Sequence, residues 1–335
     1  MASVIKMLSD KGSITPPSFA KETHYEVIMG SVAYGVSNDM SDVDIYSMCI
    51  PPKNIVFPHI AGYIDGFGSK PQGFEQYMKH HISDPNGEKK DYDVVIYNIV
   101  KYFDLCMGCN PNMIDSLFVP ERCVIHATEI GRHLRTNRKL FLSKKAHHSF
   151  KGYAFSQLHK IDVKMKGAKN LHDFEKKHGT DSSKYDHSQK ATFDMLMDNY
   201  EAIESHRKSR VRDMGFDSKF LYHVRRLLVE SEQIMTTGDV DLEADREALK
   251  AIRRGDVSPA DVMEWFASKE KQLDEVYNTS TAVPHKPDEE AIKNVLIDCL
   301  EIHYGNLSDI LVRSDSTYRD VIMQIKKVMQ DGGMI

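Results

Sequence analysis

Apolar residues along this chain fall first into short runs and later into helical spacing. Tyr25-Glu26-Val27-Ile28-Met29 is a β-prone run that ends at Gly30-Ser31, and a second run over 43–50 is stopped by Pro51-Pro52. The polar stretch 83–91 reads as a turn. A third run, 92–97, passes into a helical pattern through Ile99, Tyr102, Phe103 and Cys106, which Asn110-Pro111-Asn112 breaks. From about residue 126 the spacing predicts helices over 147–165, 191–210, 218–235, 242–253, 259–277, 288–304 and 318–329. Pro259 stands just inside a start signalled by Ser258, where a proline favours initiation. No internal repeat or low-complexity tract interrupts this. The pattern predicts an N-terminal α/β domain over 1–125 and a mainly helical domain over 126–335.

Composition narrows the class. The 335 residues carry 41 % hydrophobic and 28 % charged positions, which is globular and not disordered. A net charge of -5 excludes a histone-like polyanion binder but leaves room for a local basic face. No apolar run reaches the ~18 residues of a membrane span. The start, Met1 to Lys6, has no apolar core of a signal peptide, and five cysteines are too few for a disulfide framework. The expectation is a soluble protein of a reducing cytoplasm.

The densest chemistry lies over 30–44, where a strand runs into Gly30-Ser31 and the next strand opens with Asp42-Val43-Asp44. Alternation puts Asp42 and Asp44 on one face, roughly 6.5–7 Å apart along the backbone. Two such carboxylates are costly in an apolar site unless a cation neutralises them. Oxygen ligands of this kind suit Mg²⁺ or Mn²⁺, which also bind substrate phosphates. Gly30 allows close approach of backbone amides to a phosphate, and the Ser31 hydroxyl can donate to it. The rival reading is a pair of solvated turn aspartates.

Together these residues resemble the nucleotidyltransferases of the DNA polymerase β superfamily: a hydrophobic strand, Gly-Ser, about ten residues, then Asp-x-Asp on the next strand. Ten residues separate Ser31 from Asp42 here. The likeness extends to Gly30-Ser31-x-Ala33-Tyr34-Gly35, Ser41-Asp42-x-Asp44, Gly108-x-Asn110-Pro111-Asn112, Gly152-Tyr153-Ala154-x-Ser156-Gln157-Leu158 and Lys219-x-x-x-His223-x-x-Arg226-Leu227-Leu228. These five blocks, in this order, are similar to the predicted bacterial and phage nucleotidyltransferases of the RNA-ligase-associated, RNA-repair type. Phe220 departs from the group, which tends to have histidine there.

The resemblance implies an α+β fold, with a polymerase β-like mixed-sheet catalytic domain followed by a helical substrate-binding domain. It implies Mg²⁺- or Mn²⁺-dependent transfer of a nucleoside monophosphate from an NTP to a hydroxyl, with RNA, tRNA or protein as acceptor. It also implies a third carboxylate on a later strand. Asp93 is the first choice and Asp91 the reserve, because both project to the same face. In this reading Asp42, Asp44 and Asp93 are the catalytic and metal-binding residues, and Gly30, Ser31, Lys219, His223 and Arg226 bind the triphosphate. Lys219, His223 and Arg226 fall at i, i+4 and i+7, so they share one helix face. Their alternative is a face paired to acids such as Glu230. Gln157 and Lys160 are further candidates. The rival function is a nucleotide- or RNA-binding module of the same fold without transfer.

Other residues carry weaker signals. Cys106-x-x-Cys109 followed by Cys123-x-x-His126 has the residue types of a structural zinc site, but Cys106 lies on the apolar face of a predicted helix, where cysteine behaves as a small hydrophobe. His172-Asp173 resembles a phosphohydrolase dipeptide without its partners, and His80-His81 has no partner at a fixed spacing. The basic series Arg132, Arg135, Arg138, Lys139, Lys144 and Lys145 reads as a solvated face or an RNA contact.

Overall fold

The structure is a computed structural model, and it describes residues 3–37, 41–68, 72–85, 87, 91–201, 218–305 and 316–332. Five strands form one mixed sheet: β1 (Thr23–Ile28), β2 (Val43–Cys49), β3 (Gln76–Ser83), β4 (Asp91–Asn98) and β5 (Val124–Ala127). Their spatial order is β3-β4-β2-β1-β5, with β2 in the middle. β2 runs parallel to β4 and antiparallel to β1, while β3 and β5 add antiparallel edges.

Both faces of the sheet are covered, which is why the central strands lack clean alternation. Ile45, Cys49, Val94 and Ile96 pack on one side with Ile5 and Leu8 of an N-terminal helix, Val4–Asp10. Buried Glu26 of β1 accepts hydrogen bonds from the amides of Val4 (2.9 Å) and Ile5 (3.4 Å), so this helix docks its amino end on a carboxylate. Met48, Val95 and Tyr97 face the other way, into a larger core shared with the helices that follow. In the middle strand, buried Ser47 donates from Oγ to the Val95 carbonyl at 3.1 Å.

The helical region follows the expected pattern, with shifted ends. Among the described residues its helices are Glu129–Thr136, Lys145–His178, His187–Glu201, Ser218–Thr237, Arg246–Arg254, Pro259–Thr279, Glu289–Tyr304 and Ser316–Asp331; of the helix expected over 191–210, residues 202–210 lie outside the described ones. The second runs to His178, well past the expected 165. Residues 166–178 lose the apolar period but contain no proline, and Gly179, with φ +85°, ends the helix. Ser258 caps the Pro259–Thr279 helix by accepting from Asp261 N, in a capping box with Pro259 at its first position. The strand β3, the strand β5 and the helix Val4–Asp10 were not expected. In β3 only Ile82 is buried, so no hydrophobic run marks it.

Candidate active site

The carboxylates sit where β2, the central strand, meets its parallel neighbour. Asp42 is exposed just before β2, and Asp44 is half-buried within it. Asp44 lies in register with Asp93 of β4. Parallel neighbours in register project to the same face from strands ~4.8 Å apart. The same register pairs Val43 with Tyr92, so Asp91 falls one step further along, paired across to Ser83 of β3.

β1 ends at Ile28, and the chain turns into a one-turn helix, Gly30–Ala33. The amide of Met29 donates to the Asp44 carbonyl at 2.8 Å, which ties this turn to β2. Gly30 takes φ +65°, and a Cβ there would lie 2.0 Å from Oδ2 of Asp44. The Asp44 carboxylate therefore rests directly over the glycine, and no other residue fits. Ser31 follows in the same turn, half-buried.

Burial is the main reason that the Asp44 carboxyl is pushed up to about 6, with Asp93 and Asp42 adding repulsion. Lys219 is the strongest influence in the opposite direction, and His80 helps. Lys219 is exposed in the first turn of the Ser218–Thr237 helix, so that helix faces its cation to the carboxylates. The residues fit a hard divalent cation: they are oxygen donors on neighbouring strands, and burial and mutual repulsion make the Asp44 charge costly until a cation offsets it. They do not close into a ready-made cage, since among the described residues no three His, Cys, Asp or Glu side chains converge on one point.

His80 and His81 are site neighbours that sequence reasoning missed. A bulge in β3 between Lys79 and Ile82 puts His81 at φ +52°. Its amide donates to Oδ1 of Asp93 at 2.8 Å, while Nδ1 of His80 stands 3.1 Å from Oδ2. The bulge re-aims both residues onto Asp93. A one-residue insertion relative to β4 leaves no signature in β3 alone, so spacing could not reveal it.

Arg226 is not on the cationic face that its spacing suggested. It is 4 % exposed and ion-paired with Asp115 and with Glu230 (3.0 Å), and its guanidinium lies 4.5 Å from the Tyr34 ring centroid. Tyr34 donates to Asp115 Oδ2 at 2.8 Å. Burial raises both acids, and their attraction for the guanidinium holds Arg226 as a cation. One turn past His223 the helix has rotated Arg226 inward, so the pairing to Glu230 is the correct reading and the triphosphate role falls away. His223 is half-buried, its ring 4.2 Å from that of Tyr222. Phe220, the departure from the family pattern, is buried in the core. Gln157 is half-buried on its helix, and the Lys160 side chain lies outside the described residues.

Cys106, Cys109 and Cys123 are buried free thiols with separate surroundings. Cys109 Sγ lies 3.5 Å from the Phe141 carbonyl and Cys106 Sγ 3.9 Å from that of Met113, while Cys123 lies 2.9 Å from Arg122 Nη1. His126 is on β5, in register with Glu26. No zinc-like convergence arises among these described residues.

A mixed sheet with a Gly-Ser turn beside Asp-x-Asp, followed by a helical region, defines a polymerase β-like protein. The sequence profile of the RNA repair pathway DNA polymerase beta family matches residues 18–298, and the chain belongs to that family. Comparison with curated proteins and with solved structures gives no match. No helix among the described residues is long and apolar enough to cross a membrane.

Proposed function

We propose that the protein is a nucleotidyltransferase that moves a nucleoside monophosphate from an NTP to a hydroxyl of an RNA acceptor, in a repair pathway. The observation that carries this reading is the placement of Asp44 over Gly30 and beside Asp93. In the reaction the acceptor oxygen bonds to the α-phosphorus while the bond to the pyrophosphate oxygen breaks. Asp42, Asp44 and Asp93 would hold Mg²⁺ or Mn²⁺. Bound there, a divalent ion supplies charge neutralisation at the triphosphate and acidifies the acceptor hydroxyl. Ser31 donates its hydroxyl to a phosphate oxygen, and Lys219 meets the triphosphate charge from across the cleft. His80 and the His81 amide orient the Asp93 carboxylate, which keeps lone pairs beyond those two bonds. Catalysis of this kind is mainly positioning and charge neutralisation, so each carboxylate is indispensable.

The test offers four α-labelled nucleoside triphosphates with Mg²⁺ and total RNA. Wild type is run beside Asp42→Asn/Asp44→Asn, with cell protein as a second acceptor pool. Label in RNA from wild type alone supports the reading. Mg²⁺-independent nucleotide binding, unaffected by Asp44→Ala and without transfer, would replace it with a binding module.

A further inference from the structure

The basic series 132–145 divides in the fold. Arg132 donates to the Ala127 carbonyl (2.7 Å), Arg135 to the Leu117 and Val119 carbonyls (3.1 and 2.6 Å), and Arg138 lies over the Phe118 ring. Lys139 pairs with Asp239 at 2.6 Å. These four are spent on structure. Lys144 and Lys145 instead line a cavity of about 570 Å³, together with His148, Tyr277 and Lys286. None of Asp42, Asp44 and Asp93 lines it.

Lys144 is the unusual group. Its side chain is only 6 % exposed, yet Nζ donates to no acid: its partner is the Tyr277 carbonyl at 2.9 Å, with the Tyr277 ring centroid 5.5 Å away. No carboxylate pairs with it among the described residues, whereas Arg226, equally buried, has two. A buried ammonium without a counter-ion is expensive, and a cavity wall is where an incoming anion relieves that cost. Lys145, His148 and Lys286 are exposed around it. Of the two acids on the wall, Asp104 is paired with Lys101 at 3.3 Å, which leaves three ammonium groups against Glu289.

The cavity is one end of a longer track. A second hollow of about 380 Å³ shares Asp104, Gly108 and His148 with it and continues to Asn110 and Tyr153. Asn110 Nδ2 donates to the Tyr153 hydroxyl at 2.7 Å. The same hollow is walled by Asp104 and Leu105 of the Ile99–Met107 helix, which follows β4 directly and packs on the sheet face that carries Asp44 and Asp93. A compact anion needs only the lysines. Two adjoining hollows that lead away from the lysines suit a chain with repeated phosphates.

We infer that the Lys144 cavity binds a backbone phosphate of a single RNA strand whose reacting end reaches Asp44 and Asp93. This rests on the transferase reading above for what happens at that end, but the binding itself does not. The test is fluorescence anisotropy of a short labelled oligoribonucleotide against salt concentration. Lys145→Glu/Lys286→Glu, at exposed positions, is expected to weaken binding about ten-fold or more and to flatten the log–log salt slope by at least about 1.4. Lys144→Met is expected to weaken binding as well, yet to raise the thermal midpoint without RNA, because an uncompensated buried charge is gone. A merely structural lysine would lower that midpoint. Wild-type affinity and slope in the double variant, or a destabilised Lys144→Met that binds normally, overturns the cavity assignment. Equal displacement of the probe by inorganic phosphate at the same phosphate concentration overturns the strand in favour of a lone phosphate group. Asp42→Asn/Asp44→Asn separates the two readings. If it still transfers label, the transferase reading fails and the binding result stands; if only the lysine variants behave as wild type, the reverse holds.

Discussion

Replacing Gly30 with alanine isolates what holds the Asp44 carboxylate in place. The added Cβ would stand 2.0 Å from Oδ2, against 3.4 Å for ordinary contact, so about 1.4 Å must be found (3.4 less 2.0). The glycine backbone cannot supply it, since it is tied to β2 through the Met29 amide. The carboxylate must swing away, and it cannot swing far without meeting Asp93. Two terms then add. The left-handed conformation at φ +65° costs a non-glycine residue ~1–2 kcal/mol, and the overlap adds ~1–3 kcal/mol. Gly12 is the internal control, because it has φ +73° with nothing within 4 Å of an added Cβ. Gly12→Ala therefore reports the backbone term alone. Gly30→Ala is expected to be less stable than Gly12→Ala by ~1–3 kcal/mol in urea unfolding. On the proposed function, displacement of the Asp44 carboxylate by more than an ångström is expected to lower label transfer ~100-fold, with Gly12→Ala near wild type. If the two alanine variants unfold at the same midpoint, and Gly30→Ala transfers above about a tenth of the wild-type rate, the carboxylate is not seated where the reasoning puts it.

Asp44→Asn removes a crowded, mostly buried charge, so without divalent ions it is expected to be more stable than wild type by ~1–2 kcal/mol while losing transfer. Added Mg²⁺ should raise the thermal midpoint of wild type and leave that of Asp44→Asn unmoved; a parallel rise in both would refute the ligand assignment. Arg226→Ala strands Asp115 and Glu230 in the core, and calorimetry is expected to show a loss of ~3–5 kcal/mol. His24 is held down to about 4 by burial and by His303 and His126, its Nε2 standing 3.1 Å from His303 Nδ1. A histidine depressed in the folded state binds its proton more readily when unfolded, so its contribution is complete above pH ~6.5 and is lost as pH falls towards 4. The stability of wild type relative to His24→Asn should therefore drop by ~1–2 kcal/mol over that window, and parallel pH profiles would refute it.

The parts of this fold that were legible from residues are those whose burial is written into the local pattern. β1, β2 and β4 show as apolar runs because both faces of the sheet are covered, and most helices show their 3.6-residue period. β3 stayed hidden because a solvated edge strand has no apolar stripe, and its place is set by pairing to β4. The close approach of Gly30 to Asp44 was legible because the residues that make it lie on adjacent strands joined by a short connection. His80 was not, because its link to Asp93 depends on a bulge between strands. Arg226 was not legible for a related reason: it stands only about 20° round the helix from Lys219, so spacing puts both on one face. What separates them is the cover two turns along, where Asp115 of a neighbouring helix and the Tyr34 ring close over Arg226 while Lys219 stays exposed.

That inward turn of Arg226 has a consequence for the site. Arg226 joins Asp115 of the Pro111–Phe118 helix to Glu230 on its own helix, under the ring of Tyr34, four residues beyond Gly30. The Gly30–Ala33 turn beneath the Asp44 carboxylate and the Ser218–Thr237 helix are thus pinned to each other through one buried cation. Lys219 stands two turns earlier on the same helix, where it acts on Asp44. A lysine ammonium on a flexible stem fixes no geometry by itself. Anchored by Arg226, the helix presents Lys219 to the carboxylates from a fixed height and direction. Tyr34 and Arg226 therefore belong with the motif residues for a physical reason: they hold the two sides of the cleft at the distance that its charges require.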